Sequence, residues 1–112
     1  MAYPVVETVI DALAIVDTNP HASAVWTVEP GTKYLLAYYS TLNQDATVRA
    51  CGGFDFDGSM WWPLGAASTS VTNALDYNYD VITEYWPYMK VIVTAGVQPG
   101  SGAFTAIFKK IA

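Results

Sequence analysis

A histidine, a cysteine and a short acidic run are the places where this chain could carry out chemistry. His21 is the only histidine. Histidine is the usual general base near neutral pH, and a serine–histidine–aspartate triad could be drawn through it. No G-x-S-x-G nucleophile elbow accompanies it. It follows Pro20 in turn-forming sequence, so we read it as a solvated loop residue. Cys51 is the only cysteine. It permits neither an intrachain disulfide nor a cysteine-rich zinc site, and it reads as a small buried hydrophobe. The run Asp55-Phe56-Asp57-Gly58-Ser59 alternates oxygen ligands ahead of a glycine, as a calcium loop does. Position twelve of such a loop is Ala66 here, not glutamate, so a hairpin turn at Asp57-Gly58 is the better reading. Asp-Gly favours a tight two-residue turn, because both central residues need positive φ. Asp76 and Asp80 share a strand face but lie well apart, and Glu84 could join them only through folding. A glycosidase needs two carboxylates across a cleft, and ten scattered acidic residues locate none. There is no P-loop and no G-x-G-x-x-G. We expect no catalytic residue, metal site or cofactor, and hence no enzyme.

The surface chemistry is as sparse. Of 112 residues, 53% are hydrophobic and only 13% charged, against roughly 25% charged in an average soluble domain. The net charge is −5, and only Lys109 and Lys110 among the five basic residues adjoin. A nucleic-acid interface needs a basic stripe, so none is expected. No run approaches the roughly 20 apolar residues of a membrane helix. The opening Met1-Ala2-Tyr3-Pro4-Val5-Val6-Glu7 lacks the features of a signal peptide, so synthesis in a cytoplasm without a cleaved signal is expected.

The elements that must position these residues are strands. Residues 1–112 fit one domain. Val5 to Val16 carries apolar residues at helical spacing, but its β-branched content favours an extended strand or two short ones. Ala22 to Val28 is a short strand before the Glu29-Pro30-Gly31-Thr32 turn, and Lys33 to Tyr39 is a strong one. Thr47 to Phe56 follows, with Gly52-Gly53 marking a bulge or a close approach by another backbone. A partner strand is expected across the Asp57-Gly58 turn, closed by Pro63-Leu64-Gly65, with Ala66 to Asn73 a loop or edge strand. Leu75, Tyr77, Tyr79 and Val81 recur at period two within Ala74 to Thr83, the pattern of a half-buried strand. Tyr88 to Thr94 and Ala103 to Ile111 complete the set, joined by a flexible hairpin loop from Gly96 to Gly102. About eight strands separated by turns, with no long helix, predict an antiparallel sandwich or barrel.

Two of these runs, Tyr34-Leu35-Leu36-Ala37-Tyr38-Tyr39 and Met89-Lys90-Val91-Ile92-Val93, are apolar on both faces. Strands covered on one face alternate; strands covered on both do not. A domain this small cannot cover many strands twice, so neighbouring subunits are expected to cover some. The four Trp, eight Tyr and four Phe are the remaining handle. Trp61 and Trp62 are adjacent, so on a strand they point to opposite faces. Trp61, Trp62, Tyr85, Trp86 and Tyr88 sit at or beside predicted turns, where aromatics serve as interface anchors. Core packing and sugar stacking are the other uses such rings have.

The stretch from Ala46-Thr47-Val48-Arg49-Ala50 through Phe56-Asp57-Gly58-Ser59-Met60-Trp61-Trp62-Pro63-Leu64-Gly65 resembles small jelly-roll β-sandwich proteins of tailed bacteriophages. In that pattern a strand runs into a turn and strand of the form D-G-x-x-W-x-x-L-G. Strands like Tyr88 to Thr94 and Ala103 to Ile111 follow it, around a Gly/Ser-rich connection. The resemblance implies an antiparallel jelly-roll sandwich and a non-enzymatic virion structural protein, of the capsid decoration or minor capsid type, that stabilises a shell by protein–protein contact. It implies a virion location, with itself and a major capsid or other virion protein as partners, no nucleic acid and no membrane. A carbohydrate-binding sandwich whose exposed aromatics take a glycan, and an extracellular filament or surface-layer subunit, are the alternatives.

Overall fold

The computed structural model describes residues 6–31, 33–71 and 76–111. Nine strands follow in order: β1 (Val6–Leu13), β2 (His21–Ala22), β3 (Trp26–Thr27), β4 (Tyr34–Ser40), β5 (Ala46–Gly53), β6 (Trp62–Val71), β7 (Asp76–Ile82), β8 (Tyr88–Ala95) and β9 (Phe104–Lys110). One antiparallel sheet has the order β1-β9-β4-β7. The other has the order β2-β8-β5-β6, with β3 also on β8. β2 and β3 are two pieces of one interrupted strand, which makes eight. The chain changes sheets at every connection except β5 to β6, the winding of a jelly roll. The ambiguous first segment is thus a strand. It is kinked by register shifts between Thr8 and Ile10 and between Ile10 and Leu13, and Ala12 takes a φ of 45° there.

Alternation builds the core. Tyr34, Leu36, Tyr38 and Ser40 of β4 and Met89, Val91, Val93 and Ala95 of β8 are buried. Phe104, Ala106 and Phe108 of β9 and Ala46, Val48 and Ala50 of β5 meet them from the same two sheets. Phe108 stacks on Tyr34, with ring centroids 4.5 Å apart. The Tyr34 hydroxyl accepts from the Glu29 amide at 2.7 Å and donates to the Glu29 carbonyl. A buried phenol thereby ties down the turn before β4 without leaving a polar atom unpaired.

Two expectations need correction. Residues 96–102 do not close a hairpin, because β8 and β9 lie in different sheets. They cross between sheets and are laced to the loop after β4. Asn43 Oδ1 accepts from the Gly100 amide at 2.8 Å, and Thr41 Oγ1 accepts from the Ala103 amide at 2.9 Å. Gly102 has a φ of 96°, and a Cβ there would meet the Thr41 carbonyl oxygen.

The second correction concerns β7. Its register pairs Val81 with Leu35 and Tyr79 with Ala37, and it pairs Ile82 with Tyr34 and Asp80 with Leu36. Tyr34 and Leu36 point inward, so the inward side of β7 carries Ile82 and Asp80. Tyr79 and Val81, expected on the half-buried side, face outward and are 64% and 47% exposed. Leu75 lies outside the described residues. The inversion has a polar reason: the buried Tyr38 hydroxyl donates to Asp80 Oδ2 at 3.3 Å, so the carboxylate is required on the inside.

Burial, reinforced by the Asp80 charge, pushes the Tyr38 phenol well above its ordinary value of 10.0. A proton held longer by the folded chain stabilises fully below that value, and the contribution is lost as pH rises past it. Thermal melts between about pH 8 and about pH 11 should therefore show Tm falling above about pH 10, and Tyr38→Phe should flatten the fall. Equal slopes in the two proteins would contradict the burial of this phenol.

Candidate functional site

β5 ends in Ala50-Cys51-Gly52-Gly53, all four buried. Gly52 pairs with Met89, whose side chain points into the core, and Gly53 pairs with Tyr88 on the outer side. A Cβ on Gly52 would lie 2.2 Å from Cγ of Trp86, and one on Gly53 would lie 3.0 Å from the Trp61 ring. Two indoles thus rest against consecutive glycines from opposite faces of the sheet. The close approach expected at Gly52-Gly53 is made by rings, not by another backbone. An irregularity in the β5–β6 pairing, between Arg49 and Cys51, lies beside it.

Trp61 is fixed three ways on the outer face. Its ring lies on Gly53, its Nε1 donates to the Gly58 carbonyl at 2.8 Å, and the Lys90 ammonium sits 4.6 Å from its ring centroid. That cation–π contact holds the loop over the sheet. Cys51 is buried, as expected, but is absent from the core cluster. Burial pushes its thiol up, and the charges of Lys90 and Arg49 act the other way. A thiol held protonated is a poor nucleophile.

The connection from β5 to β6 does place the two strands antiparallel, with Gly52 opposite Trp62. It is not the two-residue hairpin expected at Asp57-Gly58. The Gly58 amide donates to the Asp55 carbonyl at 3.1 Å, which closes a four-residue turn, and Gly58 does not take positive φ. The cause is Trp61: its bond to the Gly58 carbonyl and its seat on Gly53 require a longer loop than a tight turn allows.

On the other side Trp86, half-buried, packs against the core cluster and stacks on Trp62, with centroids 5.6 Å apart and planes at 22°. Phe54 closes on both indoles, each at 5.3 Å. Phe56 meets Tyr88 edge-on at 5.7 Å. Of the five expected anchors, Trp61, Trp86 and Tyr88 are half-buried, while Trp62 and Tyr85 keep exposed surface. Beside Trp62 lies a cavity of about 350 Å³ lined by Phe54, Asp55, Gly58, Ser59, Met60 and Trp62. Phe54 and Met60 were not singled out from sequence, and Asp55 and Ser59 were weighed only as part of a calcium loop and set aside. The signal available was an aromatic on either side of the acidic turn.

The groups suited to catalysis stand apart from this wall. His21 is not a loop residue: it begins β2, opposite Val93. Its Nε2 lies 2.8 Å from Asp17 Oδ1, and that hydrogen bond holds the Asp17 carboxyl below its ordinary value. Ser23 offers no nucleophile to this pair, because its hydroxyl accepts from the Val91 amide and donates to the Ala24 carbonyl. Among the described residues no three of His, Cys, Asp and Glu cluster to hold a metal.

No protein-family description matches the chain, and no curated protein matches it. Solved structures do. The PBSX exported protein XepA superposes with a TM-score of 0.71 at 13% identity, covering 96% of this chain and 37% of XepA. The chain therefore spans little more than a third of that protein, and the likeness establishes the antiparallel β-sandwich. A structure described as "CBM4 structure and function" aligns more loosely, with a TM-score of 0.45 at 11% identity, covering 80% of this chain and 55% of that one.

The seat of Trp86 yields a direct test. Gly52→Ala must push the indole off the sheet and break its stack on Trp62, with an expected loss of about 2 kcal/mol. Chemical denaturation measures the loss, and the circular-dichroism signal of the paired indoles should fall with it. A stable Gly52→Ala protein with that signal intact would place Trp86 elsewhere.

Proposed function

We propose that this protein is a non-enzymatic structural component of a bacteriophage particle or phage-derived assembly, acting through protein–protein contact. The observation that carries the reading is the outer face of the β1-β9-β4-β7 sheet. Leu35, Ala37 and Tyr39 of β4 point outward there, half-exposed, with Tyr79 and Val81 of β7 and Ile107 of β9 exposed beside them. Three adjacent strands present apolar side chains to solvent, and β7 does so at the expense of an inward carboxylate. Thr105 and Lys109 of β9 share this side, and an apolar patch rimmed by polar groups in this way supports a contact surface.

Copies of the same chain are the partners that best fit this face, with a major capsid or other virion protein as the second. Three strands about 4.8 Å apart and about seven residues long give a projected area of roughly 330 Å², short of the roughly 800 Å² per partner of a stable pairwise interface. One such contact is weak, and repetition around a closed symmetric assembly makes it effective. Capsid decoration or a minor capsid role uses a contact of this kind. The likeness to XepA, a phage-derived exported protein, supports a phage origin and a virion or extracellular place of action. The net charge of −5 weighs against nucleic acid as a partner.

Light scattering across a concentration series tests the reading. The protein should gain mass with concentration, and the double variant Val81→Lys, Ile107→Lys should remain monomeric with Tm nearly unchanged, because both positions face solvent. A wild-type protein that stays monomeric throughout, or a variant that assembles as well as wild type, would remove the sheet face from the account.

A further inference from the structure

We propose that the cavity beside Trp62 is a binding site for the apolar face of a neutral sugar ring. The site lies at the loop end of the sandwich, away from the β7 face, and does not rest on the assembly reading. Its volume of about 350 Å³ is at the small end of the range for small-molecule sites, with room for about one or two six-membered rings.

The lining has two chemistries. Phe54 and Met60 are 60% and 69% exposed and Trp62 is 38% exposed, which is unusual for side chains of this size. The planes of Phe54 and Trp62 meet at 63°, so they form two walls of a corner rather than one flat platform. Trp62 is stacked on Trp86, and Trp86 is backed by Gly52, so the indole facing the cavity is braced before any ligand arrives. Pre-organised rings bind with less loss of conformational freedom. Asp55 and Ser59 share the lining with these rings and bring a carboxylate and a hydroxyl to it. The backbone of Gly58 is already engaged, its amide with Asp55 and its carbonyl with Trp61. The groups on offer are therefore an aromatic face, a carboxylate acceptor and a hydroxyl.

A pyranose ring matches that combination. Its C–H face stacks on an indole, and its hydroxyls donate to a carboxylate and exchange hydrogen bonds with a serine. A purely apolar segment would strand the Asp55 carboxylate against carbon. A quaternary ammonium head would satisfy Asp55 and the rings but carries one hydroxyl at most, as in choline, where a sugar ring offers several. Charge excludes acidic sugars: Asp55 lines the cavity, and Asp57 stands in the same turn. No lysine or arginine is among the lining residues, and Lys90 is placed over the Trp61 ring instead.

Ligand-observed NMR and calorimetry with neutral malto-, cello-, chito- and manno-hexaoses provide the test, with polygalacturonate and choline as charged comparisons. At least one neutral hexaose should bind, with an affinity that changes little with salt. Trp62→Ala should weaken it by about tenfold or more, and Asp55→Asn should weaken it less. Met60→Arg, at an exposed position, should block the cavity without disturbing the core, so a folding defect in Trp62→Ala leaves the test intact. The proposal is overturned if no neutral hexaose binds at about 10 mM, if binding survives both Trp62→Ala and Met60→Arg, or if choline or polygalacturonate binds more tightly than every neutral sugar. A protein that assembles but binds no sugar would lose this site and keep the assembly reading.

Discussion

Two indole rings pressed against consecutive glycines determine the shape of the loop end of this molecule. Trp86 on Gly52 and Trp61 on Gly53 occupy the space that two β-carbons would fill. Because neighbouring residues of a strand face opposite sides, the pair anchors one loop on the core side and another on the outer side. Trp61 then draws Gly58 over the sheet, and the connection from β5 to β6 becomes an eight-residue arch rather than a tight turn. Trp86 braces Trp62, and Trp62 with Phe54 makes the corner where the cavity lies. Without the glycines neither ring could reach its seat.

A second constraint acts within the other sheet. Tyr38 is buried and needs an acceptor, which Asp80 supplies from β7. That requirement turns β7 so that Tyr79 and Val81 face water. An edge strand with its aromatic side outward is unfavourable for an isolated domain and reasonable for one that is covered in an assembly. The loop end and the sheet face are thus shaped by separate requirements, and they can serve separate partners.

The sandwich was legible in the sequence because its strands are short, apolar and punctuated by Pro, Gly and Asp. The doubly apolar runs in β4 and β8 marked the strands at the centre of each sheet. What misled was local. Period two in Tyr77, Tyr79 and Val81 correctly announced a strand, but periodicity cannot say which side faces the core when one buried hydroxyl overrides hydrophobicity. Asp57-Gly58 carries a strong tight-turn signal, overruled here by the contacts of Trp61 with Gly53 and Gly58. Gly96 to Gly102 looked like a hairpin because sequence shows that strands adjoin along the chain, not which sheet each joins. The five aromatic positions were visible, while the division of labour among them depends on the glycines beneath them. Cys51 was rightly read as buried, although it lies outside the core cluster.

If other copies of the protein cover the outward face of β4, β7 and β9, as proposed, and leave the loop end free, backbone protection must depend on protein concentration in the first region alone. Amide hydrogen exchange at low and high protein concentration tests it most directly. Protection should rise with concentration in β7 and β9 and stay constant across residues 54–61. Added protection confined to residues 54–61, or none anywhere, would contradict it.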